Sequence, residues 1–233
     1  MKSEVLRRIA RRGRCIFVGD THGCYAEVSD LLAAVGVGAD DVVISVGDLV
    51  RKGPDAVRCL ELWRAEGYHA VLGNNEEKVL RSGRGAESPA DRALAARDDL
   101  LEFIATFPLV IDLPDCGLAV VHGGLMPGMR VDAEDVTRHR DVLTKLRYIR
   151  RDVDGWRNVP KGEERPGDRL WAQEWRGDRY VLYGHTPLVE PRYDERALGL
   201  DTGCVYGRRL TAAVWTRGEW SIASVKARKA YTD

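Results

Sequence analysis

Apolar residues along this chain gather into short runs, and several runs end on a glycine beside aspartate, asparagine or histidine. CIFVGDTHG (15–23) is followed by YAEVSDLLAAVG, whose apolar positions recur at the spacing of a helix face. DVVISVGDLV (41–50) leads into GPDAVRCLELWRAEG, with Pro54 suited to a first helical turn and Gly67 to its end. YHAVLGNN then runs into EEKVLRSG, where a helix is expected from Glu76. Strands alternating with helices at this rhythm predict βαβ units in a largely parallel sheet.

A polar, glycine-rich stretch (82–90) precedes PADRALAARDDLLEFIATF, which reads as helix. A second strand series starts at LAVVHGG (118–124) and continues at RYVLYGHTP (179–187) and ALGLDTGC (197–204). The tail RLTAAVWTRGEWSIASV alternates about a TRGE turn and predicts an antiparallel hairpin. Between the second-series strands, 138–179 is charged and carries Trp156, Trp171 and Trp175. No fixed-period repeat or low-complexity tract interrupts the pattern. One domain over 1–233 is expected, with the charged, tryptophan-containing stretch at about 130–178 as an insertion over one face.

Composition narrows the function without choosing it. A chain of 233 residues suits one large domain, and 44% hydrophobic with 31% charged residues is ordinary for a folded protein. The 36 basic and 36 acidic residues cancel, which argues against a protein that coats nucleic acid or anionic membrane. Five scattered cysteines without a CxxC pair suggest reduced thiols. No apolar run approaches the roughly 20 residues that span a bilayer. The opening MKSEVLRRIARRGR lacks the apolar centre of a secretory signal and reads as a short surface helix, so a cytoplasmic address is expected.

Open α/β sheets bind ligands beyond the carboxyl ends of their strands. Here those positions carry Asp20, His22, Asp48, Asn74, His122, His185 and Asp201, with three of the five histidines among them, each beside a glycine. Any one of these alone is as readily a cap or a satisfied structural residue. Their recurrence at successive strand ends points to chemistry. Carboxylate, imidazole and amide oxygen together suit a divalent ion.

GDTHG, GDLVRKGP, GNNE, VHGG and YGHT, in this order, resemble the five motifs of the calcineurin-like metallophosphoesterases. The ending LDTGCVYGRRLTAAVW resembles the bacterial diadenosine-tetraphosphate hydrolases and their phosphoprotein-phosphatase-type relatives, and the likeness runs from Gly19 to about Trp215. The resemblance implies an α/β fold, a sandwich of two mixed β-sheets flanked by α-helices, with two divalent metal ions at the strand ends. Manganese is expected first, with iron, zinc, cobalt or magnesium as alternatives. Asp20, His22 and Asp48 would hold one ion; Asp48 would bridge to a second, held also by Asn74, His122 and His185. Asp201 would support the site without ligating. The implied reaction is direct hydrolysis of a phosphorylated substrate by metal-bound hydroxide; no GxSxG nucleophile elbow is present.

Two departures from the family pattern bear on the substrate. The family's usual motif is Gly-Asn-His-Glu/Asp, whose histidine is thought to protonate the departing oxygen; here that position is Asn75, an amide that does not titrate near neutrality. Where the protein phosphatases carry Asp-Arg-Gly-Pro, this chain has Arg51, Lys52, Gly53 and Pro54, so both halves of the expected Asp–His pair are absent. Three readings stay open: a substrate with an acidic leaving group, such as a dinucleoside polyphosphate or related nucleotide; a proton supplied elsewhere, with His69 and His139 the remaining histidines; or a metal-holding regulatory module with little turnover. A serine/threonine or broad-specificity phosphatase is the alternative enzyme. Arg51 and Lys52 are the cations expected to meet phosphate at the reacting centre, with Arg147 and Arg150 in TKLRYIR as further phosphate contacts. Trp156, Trp171 and Trp175 either stack on a base or fasten the insertion.

Overall fold

β1 (Cys15–Val18) and β2 (Val42–Ser45) are apolar throughout because both faces are covered. Ile16, Val18 and Val43 join the core beneath the helices, while Cys15, Phe17, Val42 and Ile44 pack toward a second sheet. The computed structural model describes residues 13–82, 88–134 and 136–232, so the expected helix in the basic opening segment lies, but for Gly13 and Arg14, outside the described residues.

The first sheet runs β13-β12-β1-β2-β3, with β3 at His69–Ala70, β12 at Arg209–Thr216 and β13 at Glu219–Lys226. β1, β2 and β3 are parallel; β12 and β13 add antiparallel strands. The latter two form the expected hairpin, closing from Thr216 to Glu219 across Arg217 and Gly218, whose φ angles of 50° and 97° fit a two-residue turn. The second sheet runs β10-β11-β9-β5-β4, comprising β4 (Val110–Leu113), β5 (Leu118–Val121), β9 (Tyr180–Tyr183), β10 (Arg192–Asp194) and β11 (Ala197–Gly199). It too is mixed: β5, β9 and β11 are parallel and the edges antiparallel. The two sheets face each other across Phe17, Ile44, Val120, Leu182 and their neighbours, and helices cover the outer faces.

α1 (Tyr25–Val35) follows β1 and ends at Gly36 in the left-handed conformation; α2 (Ala56–Ala65) follows β2. Pro54 stands two residues before the first helical residue, Ala56, because the Asp55 side chain caps α2 by accepting from Arg58 N. α3 (Asn74–Ser82) begins at the first asparagine rather than at Glu76. The helix read across 89–107 is two, α4 (Pro89–Ala95) and α5 (Asp98–Ala105), which break at Ala96 and Arg97.

The charged stretch expected as an insertion forms α6 (Arg140–Lys145) and a third sheet of β6 (Tyr148–Asp152), β7 (Gly155–Val159) and β8 (Arg169–Leu170), in the order β7-β6-β8. Trp171 and Trp175, fully buried, fasten it to the main core, with Trp171 edge-on to Tyr183 at 4.9 Å. Among the described residues no helix is long and apolar enough to cross a membrane.

Candidate metal centre

The carboxyl ends of β1, β2, β5 and β9 meet at one place, and their last turns carry Asp20, His22, Asp48, His122 and His185, all buried. His22, Asp48 and His185 have φ angles of 47°, 54° and 66°, a left-handed conformation that costs energy for side chains with a Cβ. The strain directs consecutive groups at a common point. Glycines make the approach possible: a Cβ on Gly184 would lie 2.1 Å from Asp20 Oδ1, and one on Gly73 would lie 2.3 Å from Asp48 Oδ1.

Asp20, Asp48 and His122 offer donor atoms all within 4.8 Å of one another. His122 Nε2 lies 3.3 Å from Asp48 Oδ1 and 3.1 Å from Asn74 Oδ1, and His22 Nε2 lies 3.7 Å from Asp48 Oδ2. The ring tautomers are set from behind. His122 Nδ1 donates to Val46 O at 2.8 Å and His22 Nδ1 to Val50 O at 3.2 Å, which turns each Nε2 inward; His185 donates from Nε2 to Lys145 O at 3.1 Å, leaving Nδ1. Ring nitrogens, amide oxygen and carboxylates thus converge on one point, and once His122 gives up its proton all of them are acceptors. A divalent cation fits that donor set.

The charge balance agrees. Burial opposes ionisation of Asp48, but His122 and His22 outweigh it and hold its carboxyl far below the usual range. Burial, reinforced by Asp201, raises Asp20. Burial lowers His22 to about 4, with Lys52 adding to the effect, and lowers His185 as well, so both rings are neutral at pH 7. His122 goes the other way: burial works against its charge, yet Asp48, Asp20 and Glu76 raise it to about 10. The field at this ring is strongly cation-attracting.

Neighbouring groups hold the arrangement. The Glu76 carboxylate accepts four backbone N–H groups, from Gly73 and Asp48 at 2.9 Å, Leu49 at 2.7 Å and Val50 at 3.2 Å. Asn75 donates twice to Asp48, from its backbone at 2.9 Å and from its side-chain amide at 2.5 Å. Asp201 accepts from Gly203 N at 3.0 Å, and burial pushes its carboxyl up to about 6.

A cleft of about 680 Å³ opens beside this cluster, lined by Asn74, Asn75 and His185 and by the cations Lys52, Lys78, Arg81, Lys145, Arg147 and Lys161, against only Asp141 and Glu164. Lys52 extends to His22 Nε2 at 3.2 Å and to the Tyr206 hydroxyl at 2.9 Å. Arg147 lines the cleft and donates to His185 O at 2.9 and 3.2 Å. Two expected phosphate contacts are absent from the lining. Arg51 and Lys52 are successive left-handed residues (φ 70° and 65°), so their side chains diverge, and Arg51 turns under α4 to an ion pair with Asp91 at 3.9 Å. Arg150 faces a different cavity, held by Asp168 through two bonds of 2.6 Å. Sequence reading missed Tyr206, Lys78, Arg81, Lys145 and Lys161; only the place of Tyr206 in the LDTGCVYGRR string hinted at it. His69 begins β3 and His139 is exposed, and neither lines the cleft.

Comparison with known proteins places this geometry. Curated relatives are bis(5′-nucleosyl)-tetraphosphatases (asymmetrical) named PrpE. That of Oceanobacillus iheyensis is 26% identical, over 89% of this chain and 91% of its own length. That of Halalkalibacterium halodurans is 30% identical over 84% and 87%. A crystal structure described as a candidate diadenosine tetraphosphatase is 36% identical, covers 92% of this chain and 94% of its own, and superposes with a TM-score of 0.77. A serine/threonine phosphatase from Saccharomyces cerevisiae shares the fold at 15% identity and a TM-score of 0.61, covering 97% of this chain and 87% of its own. The calcineurin-like phosphoesterase family model matches residues 13–213, and the chain is a member of that family of phosphohydrolases.

Proposed function

We propose that this enzyme hydrolyses phosphoanhydride bonds in dinucleoside polyphosphates or related nucleotides. The observation that carries the reading is the cleft itself, whose six cations open directly onto Asn74, Asn75 and His185. A polyphosphate chain carries enough negative charge to engage several cations at once, as a single phosphate does not. The names borne by the relatives support the same substrate class. Two divalent ions, manganese first among them, held by Asp20, His22 and Asp48 and by Asp48, Asn74, His122 and His185, would lower the pKa of a water and fix phosphoryl oxygens for in-line displacement.

Lys52 and Arg147 are the residues we assign to substrate phosphates: each reaches the cleft and is held there by a second contact, to Tyr206 and to His185 O respectively. Asn75 faces the cleft and bonds to Asp48, but its amide has no proton to give a departing oxygen. An anhydride releases a weakly basic phosphate and needs little such help; a serine alkoxide needs it most. The test compares product release with manganese from diadenosine tetraphosphate, a nucleoside triphosphate, p-nitrophenyl phosphate and a phosphothreonine peptide. Turnover of the anhydrides and the activated aryl ester alone is expected. Cleavage of the peptide at the same rate would transfer the assignment to a protein phosphatase.

A further inference from the structure

The loop 160–168 contributes to two cavities. Pro160, Lys161 and Glu164 face the cleft, while Arg165, Pro166, Gly167 and Asp168 face a second cavity of about 670 Å³ that shares no lining residue with it. This volume falls in the usual range for small-molecule sites, about 300–1,000 Å³. Its other walls are Arg150, Arg151, Trp156, Arg169 and Glu174, from the third sheet and the turn after it.

The charges do not cancel. Arg150 grips Asp168 and Arg169 donates to Glu174 at 2.8 Å, so both carboxylates of the lining are matched. Arg151 and Arg165 are exposed and form no ion pair among the described residues. Arg151 lies opposite Trp156 in the β6–β7 register, its guanidinium 5.6 Å from the ring centroid. Trp171 and Trp175 are fully buried, whereas Trp156 is only half-buried. Fastening the sheet to the core accounts for the first two. The ring of Trp156 packs against the core only in part, and its remaining surface stands at a cavity beside two unmatched guanidinium groups.

An aromatic face with adjacent unmatched guanidinium groups complements a planar base bearing a phosphate. We propose that this cavity binds a nucleoside phosphate, the base against Trp156 and the phosphate between Arg151 and Arg165, at a site separate from the catalytic cleft. The limited volume and the chain's zero net charge favour a mononucleotide over a nucleic-acid strand.

Isothermal titration of the full chain with AMP tests this. The exposed pair R151A/R165A is expected to lose one binding event that the wild type shows, and W156A to weaken that event about tenfold. Hydrolysis of p-nitrophenyl phosphate is expected to stay unchanged in both, since none of the three residues lines the cleft. Inorganic phosphate alone is expected to bind the site more weakly than AMP. Equal AMP uptake by wild type and both variants would overturn the proposal, as would phosphate binding as tightly as AMP. A single-stranded oligonucleotide binding these residues far more tightly than AMP would also overturn it, in favour of a nucleic-acid surface.

Discussion

Asn75 stands where the family's usual motif has histidine, and the structure gives the side chain a partner: the carboxylate of Asp48, 2.5 Å from its amide nitrogen. The residue orients Asp48 and donates no proton. Asn75→His restores a group that titrates near neutrality, and phosphothreonine-peptide turnover is expected to rise at least several-fold; unchanged turnover would refute the account of the missing acid. Lys52 depends in turn on Tyr206. Tyr206→Phe removes one charge-assisted hydrogen bond, worth about 1–2 kcal/mol, and KM for a nucleotide substrate is expected to rise roughly five- to tenfold with kcat little changed. Residues of this kind were unevenly legible. The residues that converge at the strand ends could be read because each follows an apolar run beside a glycine. The diverging directions of Arg51 and Lys52 could not, since they follow from two consecutive left-handed backbone conformations that no residue pattern announces.

Elements were legible where burial forces a pattern. β1, β2, β5 and β9 are covered on both faces and stand out as apolar runs. β4 did not, because its alternation spans only four residues, and β6 and β7 did not, because polar residues fall on both of their faces, at Arg150, Arg151 and Asp152 and at Arg157 and Asn158. The elements meet the site through close approaches rather than long contacts. Gly184→Ala drives a methyl into Asp20 Oδ1 at 2.1 Å and is expected to cost about 1–3 kcal/mol, read as a lower Tm, together with loss of manganese-dependent activity. Glu76→Gln keeps the shape of the clasp but confronts one of its N–H groups with an amide NH2. A loss of about 2 kcal/mol is expected by denaturant titration, larger than for an exposed Glu→Gln control.

Over the whole molecule, His122 couples folding, protons and cation. Its folded pKa of about 10 lies above the ordinary 6.5, so the metal-free chain carries a stabilising contribution that is complete below pH 6.5 and lost as pH rises through 10. Cation binding at this ring would run opposite in sign: the ring must release its proton, so affinity would strengthen over the same window, with protons released near neutrality from His122 and from Asp20, whose carboxyl burial also raises. Tm of chelator-treated protein is therefore expected to fall from pH 6.5 to 10 while the shift produced by manganese grows, and calorimetry in buffers of differing ionisation enthalpy counts the protons. A Tm shift independent of pH would refute the role given to His122.

The donors are drawn from both layers: Asp20, His22, Asp48 and Asn74 follow strands of the first sheet, His122 and His185 strands of the second. An ion shared among them would be a rivet through the sandwich, since the layers could not part without releasing it. The lifetime of the chain against proteolysis would then track the supply of metal in its surroundings, so that scarcity would thin the population of the enzyme as well as silence each copy.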